Sequence, residues 1–265
     1  MTLRMIDTFS GIGGFSLAAR WLGGIETVQF VEREPYCRTI LRKHWPDVPI
    51  HDDICTFSPA PRSADVICGG FPCQDISTAG KQAGIQVGTR SGLFYELMRV
   101  VRLVRPRYIV MENVAAITNN GLDAVLGQLA EAGFDAEWAC VRASDLGALH
   151  RRDRWWLVAN SISNRSKRNM QPEIPWQRSI QRVESLRSTQ NLRVGPAADT
   201  PRLLRGTDGL PNKLDRLRAL GNAVVPQVAM IPLARMLEID GQQPIAPSNE
   251  GPELLMEMLE GRSRC

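Results

Sequence analysis

Across its first 160 residues the chain alternates short apolar runs with amphipathic ones, and no other feature restricts its possible folds as much. Strand-like runs fall at 4–9, 26–32, 64–68, 108–113, 135–141 and 154–159. Helix-like patterns lie among them at 14–22, 34–45, 92–104 and 121–132. Strands that alternate with helices build βαβ units, so the expected fold is α/β: a mostly parallel sheet with helices on both faces. From residue 161 to about 211 the periodicity vanishes, and neither strand nor helix is expected there. Regular patterning resumes at 213–220 and in a helix-like run at 228–237, and the Pro- and Gly-bearing stretch after Asp240 reads as a fraying tail.

A chain of 265 residues buries a substantial core, and 43% hydrophobic with 23% charged residues is ordinary for a soluble globular protein. Nothing in it reads as a membrane span or a secretory signal, since Met1 to Ile6 run directly into the first strand-like segment. The six cysteines are scattered without a CxxC pair, which argues against a zinc site or a disulfide framework and fits a reducing cytosol. Net charge is only +4, yet residues 161–205 alone carry nine basic side chains against three acidic ones. Such a concentration is an electrostatic footprint for phosphate; from charge alone, a solvated surface insertion reads equally well.

Three stretches carry chemistry. Gly69-Gly70-Phe71-Pro72-Cys73 follows the apolar run at 64–68, so two glycines turn the chain and Pro72 fixes φ before a thiol at a strand end. Parallel sheets keep their ligand sites at such ends, making Cys73 a candidate nucleophile; the plain alternative is a small buried apolar residue. Asp7-Thr8-Phe9-Ser10-Gly11-Ile12-Gly13-Gly14 lies between the first strand and first helix, where backbone N–H groups face a ligand. Its glycine spacing differs from the dinucleotide fingerprint, whose third glycine is replaced by Ser16. Glu32, ending the second strand, is placed to accept hydrogen bonds from ribose hydroxyls, and Asp53-Ile54 to meet an adenine amino group. A nucleoside site without a pyrophosphate fingerprint favours a methionine-derived nucleoside over NAD. The alternative for Glu32 is a solvated acid in the run Glu32-Arg33-Glu34.

Taken in order, these stretches resemble the DNA (cytosine-5) methyltransferases, which use S-adenosylmethionine. Asp7 to Phe15 resembles the cofactor loop, Glu32 the ribose acid and Asp53-Ile54 the adenine-side pair. Gly70-Phe71-Pro72-Cys73-Gln74 resembles the nucleophile loop, continued by Ser77 and by Gly80-Lys81-Gln82. Met111-Glu112-Asn113-Val114 resembles the strand-end acid motif, Arg151-Arg152-Asp153-Arg154 the arginine motif, and Gly221-Asn222-Ala223-Val224-Val225-Pro226 the final motif that returns to the cofactor. The resemblance implies a class I methyltransferase-like fold with a catalytic and cofactor domain at 1–159. A short target-recognition region at 160–211, a returning segment at 212–239 and a tail at 240–265 complete the expected organisation.

The implied reaction moves the methyl group of S-adenosylmethionine to C5 of a cytosine flipped out of duplex DNA. Cys73 adds to C6, and Arg152 and Arg154 supply positive charge near the thiol and the base. Glu112, desolvated at a strand end, holds a proton for N3. An ordinary Arg154–Glu112 salt bridge is the competing structural role, and Asn113 is expected to brace the strand end. The implied cofactor contacts are Phe9, Gly11, Gly13, Gly14, Glu32, Asp53, Ile54, Pro72, Asn222 and Val224, with no metal. DNA contacts are expected from Ser77, Gln82, Arg165, Lys167 and Arg168, and the glycine-bearing stretch 77–90 is expected to form a lid over the flipped base. Trp176 is expected in the core of a tiny subdomain. The expected partner is double-stranded DNA, with a cognate restriction endonuclease acting separately, for a monomer in the cytoplasm of a bacterial or phage-infected cell. Three departures stand out: His150 replaces the family's usual Gln, Ala223 stands where Ser chemistry is frequent, and the recognition region is short. Two alternatives remain open, a tRNA cytosine-5 methyltransferase and a non-catalytic DNA-binding protein on the same fold.

Overall fold

The structure is a computed structural model, and it describes residues 1–72, 92–146, 153–163, 176–190 and 223–242. Among them, seven strands form one sheet: β1 (Leu3–Thr8), β2 (Ile25–Val31), β3 (Ile50–His51), β4 (Val66–Gly70), β5 (Tyr108–Val114), β6 (Phe134–Arg142) and β7 (Asp153–Ser161). Their order is β3-β2-β1-β4-β5-β7-β6. The first five strands pair in parallel, and β7 runs antiparallel between β5 and β6. Six α-helices accompany the described sheet: α1 (Gly14–Leu22), α2 (Pro35–His44), α3 (Leu93–Val104), α4 (Leu122–Glu131), α5 (Trp176–Gln190) and α6 (Pro226–Asp240).

Alternation along the central strands sorts the core into two layers, because successive strand side chains point to opposite faces. Met5, Val66, Cys68, Tyr108, Val110, Trp156 and Val158 pack with α1 and α6 on one face. Ile6, Ile67, Ile109, Met111, Trp155 and Leu157 pack with α3 and α4 on the other. With both faces covered, the central strands read as nearly continuous apolar runs, as parallel strands do. Truncating a fully buried side chain here, such as Leu17 or Ile109, costs about 2–5 kcal/mol.

Two expectations are corrected. The stretch 160–211 is not wholly irregular, because α5 spans Trp176–Gln190 within it. Trp176 does not sit in a separate subdomain either; with Ile180 and Leu186 it packs against the main core, on the face that α6 covers. The two-residue β3 is an element that sequence patterning missed, and it extends the sheet beyond β2. Residues 213–220 lie outside the described residues.

Candidate active site

The chain crosses between β1 and β4 after building outward in the other direction to β2 and β3, so the topological switch point lies between β1 and β4. In such sheets the crevice outside the carboxyl ends of the strands at this point receives the ligand. Four sequence-expected stretches meet along this edge: the loop after β1, Glu32 after β2, Gly70 to Pro72 after β4, and Glu112 near the end of β5.

The loop after β1 turns tightly. Phe9, Gly11 and Gly13 all have positive φ, at 51°, 54° and 89°. Left-handed backbone suits glycine but strains a residue such as Phe9. Ser10 fixes the turn by donating from its hydroxyl to the Asp7 carbonyl at 2.6 Å, while its own carbonyl accepts the Gly13 N–H at 2.8 Å. Gly14 opens α1 pressed against the returning segment: a Cβ there would lie 2.5 Å from the Val224 carbonyl oxygen. The final motif's Val224 therefore sits against the first motif's Gly14, although more than 200 residues separate them. Asn222 lies outside the described residues.

Glu32 is buried, and its carboxylate is held by two backbone N–H groups, Gly11 to Oε2 at 2.6 Å and Glu34 to Oε1 at 2.7 Å. Burial pushes its carboxyl above the ordinary range, although those two N–H groups pull the other way. The solvated-acid reading of Glu32 fails on this burial. Asp53 is half-exposed and accepts the Cys55 N–H at 2.9 Å; that bond, with Arg33 and His51 nearby, holds its carboxyl below the usual range. Ile54 is buried among the side chains of the α3 face.

After β4 the chain leaves the sheet through Phe71 and Pro72 toward Cys73. Phe71 is buried against Phe94, ring centroids 5.2 Å apart, and its carbonyl accepts a hydrogen bond from Asn113 Nδ2 at 3.1 Å. Asn113 thus braces the strand end, as expected, and also anchors the peptide two residues before Cys73. Cys73 itself, Arg152, Ser77, Gln82, Arg165, Lys167 and Arg168 lie outside the described residues.

Glu112 and Arg154 come together across the antiparallel β5–β7 pair, with Arg154 Nε 2.7 Å from Glu112 Oε1. The other carboxylate oxygen faces Gly70, where a Cβ would lie 2.8 Å from Oε2. Glycine at 70 therefore leaves room for this acid at the base of the Cys73 loop. Sequence reasoning gave no role to Trp45, whose ring would lie 2.7 Å from a Cβ on Gly13, and none to the Asp7 and Ser16 side chains. Asp7 carried a usable signal: it is an acid inside the buried run of β1.

The residues present fit a nucleoside. A glycine turn leaves open space at Gly11, and a held carboxylate faces the turn from the next strand. By overall shape the molecule is similar to the Entamoeba histolytica methyltransferase EhMeth, with a TM-score of 0.63 over 90% of this chain and 99% of that one, at 13% identity. This likeness shows the class of fold, an α/β sheet protein of the same architecture. Residues 3–200 match the C-5 cytosine-specific DNA methylase family, and the chain belongs to that family. It is 33% identical over 163 residues to the Type II methyltransferase M.CviJI of Paramecium bursaria Chlorella virus IL3A, covering 60% of this chain and 43% of that protein. It is 31% identical over 160 residues to the Type II methyltransferase M.HhaI of Haemophilus parahaemolyticus, covering 59% and 48% respectively. The chain thus spans less than half the length of these two relatives.

Proposed function

We propose that this chain is a DNA (cytosine-5) methyltransferase that uses S-adenosylmethionine and attacks a flipped cytosine through Cys73. The observation that carries this reading is the convergence of Glu32, the Gly11–Gly14 turn, Val224, Pro72 and the Glu112–Arg154 pair at one sheet edge. When bound, the cofactor supplies an electrophilic methyl group on a sulfonium. Phe9, the glycine turn, Glu32, Asp53, Ile54, Pro72, Asn222 and Val224 bind and orient it. The Cys73 thiolate adds to C6 of the pyrimidine, the 5,6 double bond opens, and electron density moves to C5, which takes the methyl group. Loss of the C5 proton and expulsion of the thiolate then restore the ring.

Glu112 is the group at hand to hold a proton at N3 while accepting from the 4-amino group, and Arg154 orients its carboxyl. The absence of a side chain at Gly70 lets Oε2 lie against the end of β4, the strand that leads to Cys73. Arg152 and Arg154 supply positive charge for the thiolate and the base O2. The domain reading is 1–159 for catalysis, 160–211 for recognition, a range that includes α5, 212–239 returning to the cofactor, and the tail from 240. The substrate is duplex DNA carrying a short site, in a bacterial or phage-infected cytoplasm, where a restriction endonuclease acts separately.

The test is a duplex carrying 5-fluorocytosine, incubated with the protein and S-adenosylmethionine. An irreversible protein–DNA adduct mapping to Cys73 is expected, and Cys73→Ser should give none while still binding the cofactor. Undiminished methyl transfer by Cys73→Ser, or an adduct at another residue, overturns the assignment.

A further inference from the structure

The loop after β1 has its two ends fastened through the Asp7 carboxylate, which takes both the hydroxyl and the backbone N–H of Ser16. Asp7, near the end of β1, is fully buried, and its Oδ2 accepts the Ser16 hydroxyl at 2.6 Å. Ser16 lies in the first turn of α1 and is itself buried; its oxygen accepts the Thr27 hydroxyl of β2 at 2.8 Å. Between Asp7 and Ser16 stand the three left-handed residues Phe9, Gly11 and Gly13. A turn containing a strained non-glycine residue persists only where its surroundings hold it. In the dinucleotide fingerprint the third glycine lets the helix pack closely on the strand. Here Ser16 occupies that position and joins helix to strand with a hydroxyl instead.

Neither side chain is open to a ligand. Asp7 Oδ1 is buried without a nitrogen or oxygen partner among the described residues, and the nearby titratable groups are Cys68, opposite in β4, and Glu32. The pair therefore acts through the backbone between its members. Gly11 belongs to that backbone and donates its N–H to Glu32. Glu32 is the acid assigned to the ribose, so the shape of the turn and the aim of the carboxylate are one arrangement.

We infer that Asp7 and Ser16 form a clasp that holds the Gly11–Gly14 turn in its cofactor-binding shape, which makes both of them positioning residues for methyl transfer. This inference rests on the proposed assignment of that turn to S-adenosylmethionine.

Titration calorimetry of the full chain with S-adenosylmethionine tests it, alongside steady-state kinetics and thermal melts. Ser16→Ala should weaken binding about tenfold, the scale of removing one buried hydrogen bond, and Asp7→Ala, which also strips the Ser16 N–H and Cys68 contacts, by at least as much. The double variant should be no weaker than Asp7→Ala alone, because that variant already removes the bond that Ser16→Ala deletes. Asp7→Asn keeps an acceptor oxygen for Ser16 and should restore affinity to within about threefold of the parent. The loss should appear in KM for the cofactor far more than in kcat. If Ser16→Ala melts at a lower temperature yet binds S-adenosylmethionine as the parent does, the bond is merely structural and the inference is overturned. Should Asp7→Ala fail to fold, Ser16→Ala with the Asp7→Asn rescue decides the matter. A parent protein that binds no S-adenosylmethionine at all would instead overturn the functional assignment, and the clasp with it.

Discussion

Asp7 occupies a strand position where both neighbours, Ile6 and Thr8, are buried, and the cost of placing an acid there shows in its protonation. Desolvation pushes its carboxyl up from 3.8 to about 7, opposed in part by the Ser16 and Cys68 contacts. Below pH 3.8 both the folded and the unfolded chain hold this proton, and the group does not favour either state. Between 3.8 and about 7 only the folded chain holds it, so rising pH removes stability. Above about 7 the loss is complete. A carboxyl raised from 3.8 to about 7 corresponds to about 4 kcal/mol, an upper figure for a single buried group. Asp7→Asn should abolish this loss. Urea melts of parent and variant at pH 5 and pH 8 provide the check: relative to the parent, the variant should gain about 2.5 kcal/mol between the two values, the rest of the loss falling below pH 5. Parallel pH profiles would show that Asp7 stays ionised in the fold. Glu32 is shifted in the same direction but is present in both proteins, so it cancels in the comparison.

Among elements, α5 separates what is legible in a sequence from what is not. Its stripe Trp176, Ile180, Val183 and Leu186 has helical spacing, but it is one residue wide and set among Arg, Gln and Ser, so the apolar signal is diluted. The remainder of its buried face is polar: Ser179 donates to Glu238 of α6 at 3.1 Å and Arg182 lies 3.7 Å from the same carboxylate. Those partners are 59 and 56 residues away, and no local pattern announces them. By contrast α1 matched its expected bounds, because a run buried at every residue but Arg20 stands between a glycine turn and the C-cap Gly23. The site divides in the same way. The chemistry-bearing side chains Glu32 and Glu112 are legible, since an acid ending an apolar strand is conspicuous. The contacts that set their geometry are invisible without the fold: Val224 on Gly14, Trp45 on Gly13, Gly70 under Glu112. The polar cluster on α6 yields a prediction at this scale. Arg235 is 7% exposed and makes a forked pair with Glu137 of β6, at 2.5 and 3.0 Å. Glu137→Ala leaves that charge, among the described residues, with Glu238 alone, 3.6 Å away. Urea melts should show a loss of about 2–3 kcal/mol, below the full buried-pair figure because Glu137 is partly exposed. A loss under about 0.5 kcal/mol would mean the pair is no better than a surface one.

On the scale of the whole molecule, two clusters of charge do different work. Around α6 the charges are paired and turned inward, tying β6, α5 and α6 to one another and so fixing the base from which Val224 reaches Gly14. In residues 161–205 the basic excess is carried on a polar stretch, and the three closely spaced cations Arg165, Lys167 and Arg168 lie outside the described residues. If that stretch meets the phosphates of a duplex, its contribution is counterion release, which depends on salt in a way that no structural role imitates. Replacing Arg165, Lys167 and Arg168 by Gln should make log K against log salt shallower by about 0.9 for each phosphate no longer neutralised, a change of up to about 2.7. Duplex affinity should consequently fall far more at about 50 mM salt than at about 200 mM, where the parent has already surrendered much of the same attraction. S-adenosylmethionine affinity should not move, because the described residues assigned to it stand on the sheet edge and beside α6. An unchanged salt slope, or an equal fall in cofactor affinity, would assign these cations to the fold and leave the DNA-facing surface to be sought elsewhere.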